Sequence, residues 1–206
     1  RRRGEGIEAR SLGRPLAGIR SFIRFLERRG EANAAPFAAV RAPKARKSVW
    51  VPSVASLYHQ VPLRQENSYF SIGERCNANG SRAWRKFQEE GNWEGCLDMA
   101  REQVREGSNA LDVCTAFVGR DEVKEMGEVV SRMRGSVNAP LVIDSTELIV
   151  LESTLKLYGG KAILNSINFE DGEEPAEKRL ELARRFSTAV VALTIDEQGM
   201  AKSAEE

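Results

Sequence analysis

The sequence has little of what a metal site or a nucleotide-phosphate site requires. It contains three cysteines with no CxxC pair, and its one histidine is His59. A structural zinc site needs four closely placed ligands and a catalytic zinc site needs at least three, so we expect no metal site in this chain. The glycine patterns GxGxxG and GxxxxGK(S/T) are both missing, which excludes the usual phosphate-binding loops.

Long apolar runs are missing as well. No stretch approaches the roughly 18 apolar residues that a membrane-spanning helix requires. The content of 41% hydrophobic and 30% charged residues is typical of a soluble globular protein. The opening RRRGEG is not followed by the apolar segment of a secretory signal. We therefore expect a cytoplasmic protein without a membrane partner.

Positive charge is concentrated at the start of the chain. The first 50 residues hold 13 Lys or Arg against 4 Asp or Glu, whereas the remainder holds 18 against 26. A basic arm can bind nucleic acid, so a nucleic-acid-binding module is the alternative function of a different class. The RRR and APKARK patches lack interleaved aromatic residues, and a solvated linker is the simpler interpretation.

Five short apolar runs each end at a carboxylate or a carboxamide, and this repetition is the main functional signal. The runs are SYFSIGERCN, NALDV, LVIDS, AILNS and VVALTIDEQG, and their polar residues are Glu74, Asn77, Asp112, Asp144, Asn165 and Asp196. Such runs, separated by helical patterns, are typical of parallel strands joined by crossover helices. The ends of these strands gather at one face, which in a closed barrel holds the active site. We therefore expect the six side chains to line one polar ligand site.

The alternation predicts an α/β fold, a partial TIM (β/α)8 barrel with about five of its eight strands. Strands are predicted at 68–73, 109–113, 140–143, 161–165 and 189–195, and helices at 92–106, 121–134, 147–158 and 174–186. The helical patterns place Val123 and Leu180 among the core residues. A closed barrel usually needs roughly 250 residues, so we expect a truncated one. An open doubly wound sheet is the alternative.

The first 65 residues are predicted to lie outside this barrel. Apolar residues at three- and four-residue spacing predict a helix over 15–29, which we assign to the end of a preceding domain over 1–30. Residues 31–65 contain four prolines that would interrupt a helix. We therefore predict an extended linker over 31–65 and the N-terminal part of the barrel over 66–206.

The residue types at the strand ends suit a fused heterocycle such as a pteridine or a purine. A carboxylate can meet adjacent N–H donors of a ring edge with two parallel hydrogen bonds, and a carboxamide can meet mixed donors and acceptors. The structural alternative is that Asp and Asn after a strand cap the next helix. Cys76 and Cys114 lie near the same rim, either as ordinary half-buried cysteines or as members of the site.

Five ordered motifs extend this interpretation: IGERCNANGSRAW, DMAREQVREGSNALDVC, LVIDSTE, GGKAILNSIN and VVALTIDEQGMA. Together they resemble the pterin-binding domain of cobalamin-dependent methionine synthases, and VPSVASLYHQVPLRQ resembles the lead-in to that domain. Pterin-dependent methyltransferases that act on a corrinoid iron–sulfur protein and, more distantly, dihydropteroate synthases share this barrel. Either of these is an alternative function.

The resemblance implies a pterin pocket that contains the six polar residues, with Arg82 and Arg85 near the glutamate tail of a folate. The implied reaction is methyl transfer from 5-methyltetrahydrofolate to a corrinoid carried by the cobalamin-binding domain of the same polypeptide, in methionine synthesis. The residues before the barrel would then come from the exit of a homocysteine-binding barrel, whose zinc cysteines are not in this chain. Five of eight strands are expected to need the rest of the barrel for activity.

Overall fold

The computed structural model describes residues 51–200, which contain a five-stranded parallel sheet flanked by helices. The strands are β1 (Ser53–Ala55), β2 (Gln60–Pro62), β3 (Ile72–Asn77), β4 (Ala110–Cys114), β5 (Leu141–Asp144), β6 (Ile163–Ile167), β7 (Ala189–Ala192), β8 (Ile195–Asp196) and β9 (Gly199–Met200). The helices are α1 (Arg82–Glu89), α2 (Trp93–Arg105), α3 (Glu122–Ser136), α4 (Leu148–Leu157) and α5 (Glu173–Phe186).

The central sheet has the strand order of a barrel. Strands β3 to β7 are hydrogen-bonded in the order of the chain, and each neighbouring pair is parallel. Helices occupy each of the connections between these strands. The predicted α/β fold, a partial barrel with five strands, is therefore confirmed.

Alternate residues of the central strands enter two different cores. Leu111 and Ile143 pack with residues of the helices, whereas Ala110 and Val142 belong to a second core on the opposite face. This alternation follows from the two-residue period of a strand. We call the face without helices the inner face, because it would line the interior of a closed barrel.

The antiparallel hairpin β1–β2 lies where the sequence predicted a linker, and that prediction is wrong for residues 53–62. Val54 and Val61 are buried in the inner-face core. Backbone hydrogen bonds join Ala55 and Lys161 in both directions, at 3.0 and 2.9 Å. The prolines exclude a helix here, but a short strand outside the centre of a sheet tolerates them.

The bounds of β3 and of the fifth parallel strand differ most from the predicted ones. Strand β3 begins at Ile72 rather than at residue 68, because its pairing with β4 starts there, and Tyr69 is 79% exposed. The fifth parallel strand ends at Ala192, since Asp196 pairs with Gly199 in the separate hairpin β8–β9. Apolar composition located both strands but not the residues at which their ladders begin and end.

Helix α1 has no counterpart in the sequence-based prediction. Its sequence, RAWRKFQE, is mostly polar, and only Trp84 and Gln88 are buried. The predicted core positions of Val123 and Leu180 are wrong, since both side chains are exposed. Val129 in α3 and Leu182 in α5 are buried instead.

The predicted helix over 15–29 and the predicted linker up to residue 50 lie outside the described residues. The compact unit that contains the sheet begins at Val51, before the predicted boundary at residue 66. Within residues 51–200, each helix is too short or too polar to cross a membrane.

Candidate binding site

Strand register brings polar side chains of four strands together on the inner face. Asn77 pairs with Cys114 across β3 and β4, and Asp144 pairs with Asn165 across β5 and β6. The β4–β5 register continues the row from Cys114 to Asp144. Asp112 lies one step earlier on β4, on the same face. Four of the six predicted site residues are therefore brought together: Asn77, Asp112, Asp144 and Asn165.

Two carboxamides connect the two carboxylates. Asn77 Nδ2 donates to Asp112 Oδ2 and to Asp144 Oδ2, at 2.7 Å in each case. Asn165 Nδ2 donates to Asp112 Oδ1 at 3.2 Å. We call these four residues the Asn–Asp cluster. Its members come from four successive strands, so the sheet register determines its geometry.

The orientation of the Asn77 amide is fixed from outside the cluster. The backbone N–H of Asn79 donates to Asn77 Oδ1 at 2.8 Å, which leaves Nδ2 facing the carboxylates. This contact makes Asn79 a supporting residue that the sequence analysis missed. Its place two residues after Asn77 is the signal that could have identified it, because Asn side chains often bind the backbone two residues on.

The residues of the Asn–Asp cluster do not act as helix caps. The N-cap residues of α1, α2 and α3 are Ser81, Asn92 and Asp121, whose side-chain oxygens accept from backbone N–H groups of the first turn. The N-cap residues of α4 and α5 are Glu147 and Gly172, which make no side-chain cap hydrogen bond. The capping alternative therefore fails for the four clustered residues.

Both carboxylates of the cluster are held in a setting that favours protonation. Burial is the main cause that raises the pKa of Asp112 above its ordinary value, and the charges of Asp144 and Glu74 act in the same direction. The pKa of Asp144 is also raised, first by burial and then by the charges of Glu122 and Glu74. The amide donors oppose these effects without cancelling them. A ligand that supplies further N–H donors would stabilise the charged forms.

The two cysteines near the rim have different surroundings. Cys76 belongs to the core between the sheet and the helices, and it accepts a hydrogen bond from Gln103 Nε2 at 3.1 Å. Cys114 stands in the row of the cluster, where Asn79 Nδ2 approaches its Sγ at 3.5 Å. Of the two, only Cys114 is placed to take part in the site.

Glu74 and Glu122 border the cluster without joining its hydrogen bonds. The side chain of Glu74 is exposed, and it acts on Asp112 and Asp144 through its charge. Glu122 begins α3, and its Oε1 is buried without a hydrogen-bond partner among the described residues. Glu122 was not among the predicted site residues, because an acidic residue in the first turn of a helix is ordinary.

Within residues 51–200, Asp196 makes no hydrogen bond to a member of the Asn–Asp cluster. It is exposed, and its Oδ1 accepts from the backbone N–H of Gln198 within the hairpin β8–β9. It also lines a cavity of about 320 Å³ with Phe169 and Gly172. The fifth strand stops before Asp196, so strand register does not place this residue in the row of the cluster, and its part in the site stays a prediction.

The two arginines proposed for a folate tail both lie on α1. Arg82 is exposed at the first residue of the helix. The Arg85 guanidinium lies over the ring of Phe117, 5.8 Å from its centroid. Phe117 belongs to the loop after β4, so Arg85 is held beside the end of the strand that carries Asp112 and Cys114.

The groups of the cluster suit a polar binding site. It offers carboxylate acceptors and carboxamide groups on a buried apolar base formed by Ala110, Val142 and Ile163. Residues 51–200 contain no group of three or more His, Cys, Asp or Glu placed to hold a metal ion. A neutral ligand edge with N–H donors matches this arrangement best.

Comparison with known proteins identifies a family and two related sequences. The model of the family described as "Pterin binding enzyme" matches residues 73–206. Methionine synthase of Mycobacterium tuberculosis is 42% identical over 176 residues, which cover 84% of this chain and 15% of that protein. Methionine synthase of Mycobacterium leprae is 42% identical over 164 residues, which cover 78% of this chain and 14% of that protein. The chain therefore spans a small part of the length of these relatives.

Solved structures are similar in fold. Dihydropteroate synthase of Xanthomonas albilineans, in complex with indole-2-carboxylic acid and 6-chloroguanine, matches with a TM-score of 0.52 and 13% identity, over 74% of this chain and 53% of that chain. Dihydropteroate synthase of Yersinia pestis, in a sulfonamide drug complex, matches with a TM-score of 0.51 and 13% identity, over 75% of this chain and 56% of that chain.

Proposed function

Because the chain belongs to the pterin-binding enzyme family, we propose that its Asn–Asp cluster binds the pterin ring of a folate. The observation that carries this proposal is the hydrogen-bonded convergence of Asn77, Asp112, Asp144 and Asn165 from four successive strands. An isolated polar residue on the inner face would have an ordinary structural explanation, but a buried pair of carboxylates needs donors that the amides supply only in part.

The ring would be held by its polar edge. A pterin presents adjacent N–H donors along one side, and a carboxylate can accept two of them in parallel. Asp112 and Asp144 would supply these acceptors, while Asn165 would meet a mixed donor and acceptor pair. Ligands without this edge would leave buried carboxylates unmatched, at a cost of roughly 1–3 kcal/mol for each group, which would give the site its selectivity.

We further propose that the folate is 5-methyltetrahydrofolate and that its methyl group is passed to a corrinoid in methionine synthesis. The support is the 42% identity to methionine synthases together with the motifs that resemble cobalamin-dependent members. The corrinoid would be carried by a cobalamin-binding domain of the same polypeptide, acting in the cytoplasm. Zinc would belong to a homocysteine-binding barrel, whose final helix would occupy residues 1–30.

The residues of this chain would contribute orientation and hydrogen bonding. In the methyl transfer, the bond between the methyl group and N5 of the folate breaks, and N5 is the leaving group. The negative charge that develops on N5 must be offset by a proton or a hydrogen bond. The donors present in the cluster are carboxamides, so a hydrogen bond from Asn165 or from bound water would fill this role. Holding the methyl group in line with its acceptor would supply much of the remaining rate enhancement.

Calorimetric titration of the full-length protein with 5-methyltetrahydrofolate tests the binding proposal. Asp112→Ala and Asp144→Ala are each expected to weaken binding roughly 10- to 100-fold, the effect of losing hydrogen bonds to a charged group. Glu181→Ala, an exposed acidic residue of α5, serves as the control and should bind like the wild type. Unchanged affinity in both aspartate variants would contradict the proposal.

The methyl acceptor is tested separately. Incubation of the full-length protein with methyl-labelled folate and reduced cobalamin should transfer the label, and homocysteine should then receive it. Transfer only to a corrinoid iron–sulfur protein would support the first alternative. Condensation of a pterin pyrophosphate with 4-aminobenzoate would support the dihydropteroate synthase alternative.

A further inference from the structure

Strand β3 has one residue more than β4 between two points of their ladder. The register of this pair shifts between Gly73 and Cys76. In that interval β3 contains Glu74 and Arg75, whereas β4 contains only Asp112. Two residues opposite one form a β-bulge, a feature that is rare between parallel strands and over-represented next to active sites, where it re-aims a side chain.

The bulge interrupts the alternation of side chains along β3. Cys76 lies in the core between the sheet and the helices. The guanidinium of the preceding residue, Arg75, forms salt bridges with Glu102 and Glu106 on the side of α2, at 3.2 and 2.7 Å. Two successive side chains therefore point toward the helices, where a regular strand would place only one of them. The next residue, Asn77, faces the inner side.

Without the bulge, the same sequence would present a different residue to the Asn–Asp cluster. A regular ladder continued from Gly73 would pair Cys76, rather than Asn77, with Cys114. Because a shift of one residue turns each side chain to the other face of a sheet, Asn77 would then point toward the helices and lose its contacts with the two carboxylates. The position of the shared amide donor thus depends on one extra residue in β3.

Gln103 of α2 holds the bulge through hydrogen bonds. Its Oε1 accepts from the backbone N–H of Arg75 at 2.8 Å, and its Nε2 donates to Cys76 Sγ at 3.1 Å. The Gln103 side chain belongs to a residue that is only 2% exposed. A bulge takes backbone groups of its extra residue out of the ladder, and a buried N–H group needs another acceptor. Gln103 supplies that acceptor.

Gly73 leaves the space that the amide of Gln103 occupies. A Cβ atom at this position would lie 2.7 Å from Gln103 Oε1 and 2.7 Å from Ser108 Oγ. Both distances are shorter than van der Waals contact, so a larger residue would push the flexible Gln103 side chain away from the N–H of Arg75. The missing side chain at Gly73 is therefore part of the arrangement that holds the bulge.

We propose that Gln103 is a positioning residue of the pterin site, an inference that rests on the proposed function. By binding the backbone N–H of Arg75 it favours the bulged register, and this register places Asn77 within 2.7 Å of both carboxylates. Among the hydrogen bonds of residues 51–200, Gln103 makes none to a member of the Asn–Asp cluster. It acts on the ligand through the backbone of β3.

The first test is titration of full-length variants with 5-methyltetrahydrofolate. Gln103→Leu removes the acceptor and should raise Kd roughly tenfold, because Asn77 no longer stays in place. Gln103→Glu keeps an acceptor oxygen for the N–H of Arg75 and should bind within about threefold of the wild type. Gly73→Ala displaces the Gln103 amide and should resemble Gln103→Leu. Gln88→Leu is the matched control, since Gln88 is equally buried but bonds outside β3, and its Kd should stay within about twofold.

Alkylation of cysteines in the ligand-free protein reports the register without the folate. In the wild type Cys76 is fully buried, so iodoacetamide should leave it unmodified. Loss of the bulge turns Cys76 to the inner face, and peptide mass spectrometry should then detect its alkylation in Gln103→Leu. Cys96, which is buried in the same core, should stay protected. Equal labelling of both cysteines would show a general loss of structure and would contradict the proposed register change.

Deletion of Arg75 separates the bulge from the other contacts of Gln103. Without the extra residue, a regular ladder gives Cys76 and Asn77 the same partners that they have in the bulged strand. In the Gln103→Leu background, this deletion should therefore restore Kd to within about threefold of the wild type. A folded double variant that still binds as weakly as Gln103→Leu would contradict the inference.

Unchanged Kd and a protected Cys76 in Gln103→Leu would overturn the inference while leaving the proposed function intact. If the wild type does not bind the folate, the proposed function fails and the positioning role falls with it, while the labelling of Cys76 still reports the register. If Gln103→Leu does not fold, Gly73→Ala decides, and an unchanged Kd with a protected Cys76 in that variant would overturn the inference.

Discussion

Asn77 Nδ2 lies 2.7 Å from Asp144 Oδ2, although β4 separates the strands that carry the two residues. The same nitrogen also reaches Asp112, on that intervening strand, at 2.7 Å. One carboxamide therefore uses both of its hydrogens to hold two carboxylates together. The stability and the ligand affinity of the inner face should both depend on this residue.

Replacement of Asn77 by Ala removes the donor that the two carboxylates share. The charged forms of Asp112 and Asp144 then lose a hydrogen bond each, so the domain should lose about 1–3 kcal/mol of stability at neutral pH. Part of this loss should be recovered at acid pH, where the carboxylates are neutral. Hydrogen–deuterium exchange of the β4 and β5 peptides in the full-length protein measures the change. Equal protection of wild type and variant at neutral pH would show that the shared donor contributes nothing.

The buried carboxylates predict a specific pH dependence of stability. Burial raises the pKa of Asp112 and Asp144 above the ordinary value of 3.8, so the folded state binds their protons more tightly than the unfolded state. The stabilisation is therefore fully present below pH 3.8 and is lost as the pH rises through the raised values. In Asp144→Asn this residue no longer titrates, so the stability of the variant should fall less over the same window. Exchange rates of the β5 amides, corrected for the intrinsic effect of pH, provide the measurement, and parallel curves for both proteins would refute the prediction.

The hairpin β1–β2 is expected to stabilise the domain through Tyr158. The Tyr158 hydroxyl donates to the carbonyl oxygen of Ala55 at 2.9 Å and accepts from the backbone N–H of Leu141 at 3.3 Å. Tyr158→Phe should therefore cost about 1–2 kcal/mol, because it removes the hydroxyl acceptor of the Leu141 N–H and one of the two hydrogen bonds to the Ala55 carbonyl. Increased exchange in peptides covering residues 53–62 and β5 would register the loss. Tyr69→Phe is the matched control, since Tyr69 is 79% exposed. An equal effect of both substitutions would show that the buried hydroxyl of Tyr158 does not stabilise the hairpin.

The sequence predicted the parallel sheet, apart from the end of its last strand. Short runs of Val, Ile and Leu between helical patterns are enough to indicate parallel strands, because burial on both faces leaves a continuous apolar signal. The same signal placed the end of the last strand beyond Ala192, because LTI continues the apolar run. Asp196 was assigned to the end of the fifth strand through this error, and it pairs instead with Gly199 in the hairpin β8–β9.

Contacts that depend on strand register could not be predicted from the sequence. Strand ends suggested that Asn77, Asp112, Asp144 and Asn165 converge, but the shared use of one amide nitrogen depends on distances between strands. The place of Cys114 beside the cluster and the contact of Asn79 with Asn77 depend on the same register. Helix α1 was missed because its buried surface comes from Trp84 and Gln88, which give a polar sequence little apolar periodicity.

A crystal structure of the full-length protein with bound 5-methyltetrahydrofolate tests the central claim most directly. The account predicts that the N–H edge of the pterin lies within hydrogen-bonding distance, about 2.7–3.2 Å, of carboxylate oxygens of Asp112 and Asp144, with Asn165 against the same ring. A pterin ring bound away from the inner face, with these carboxylates making only the contacts to Asn77 and Asn165, would contradict it.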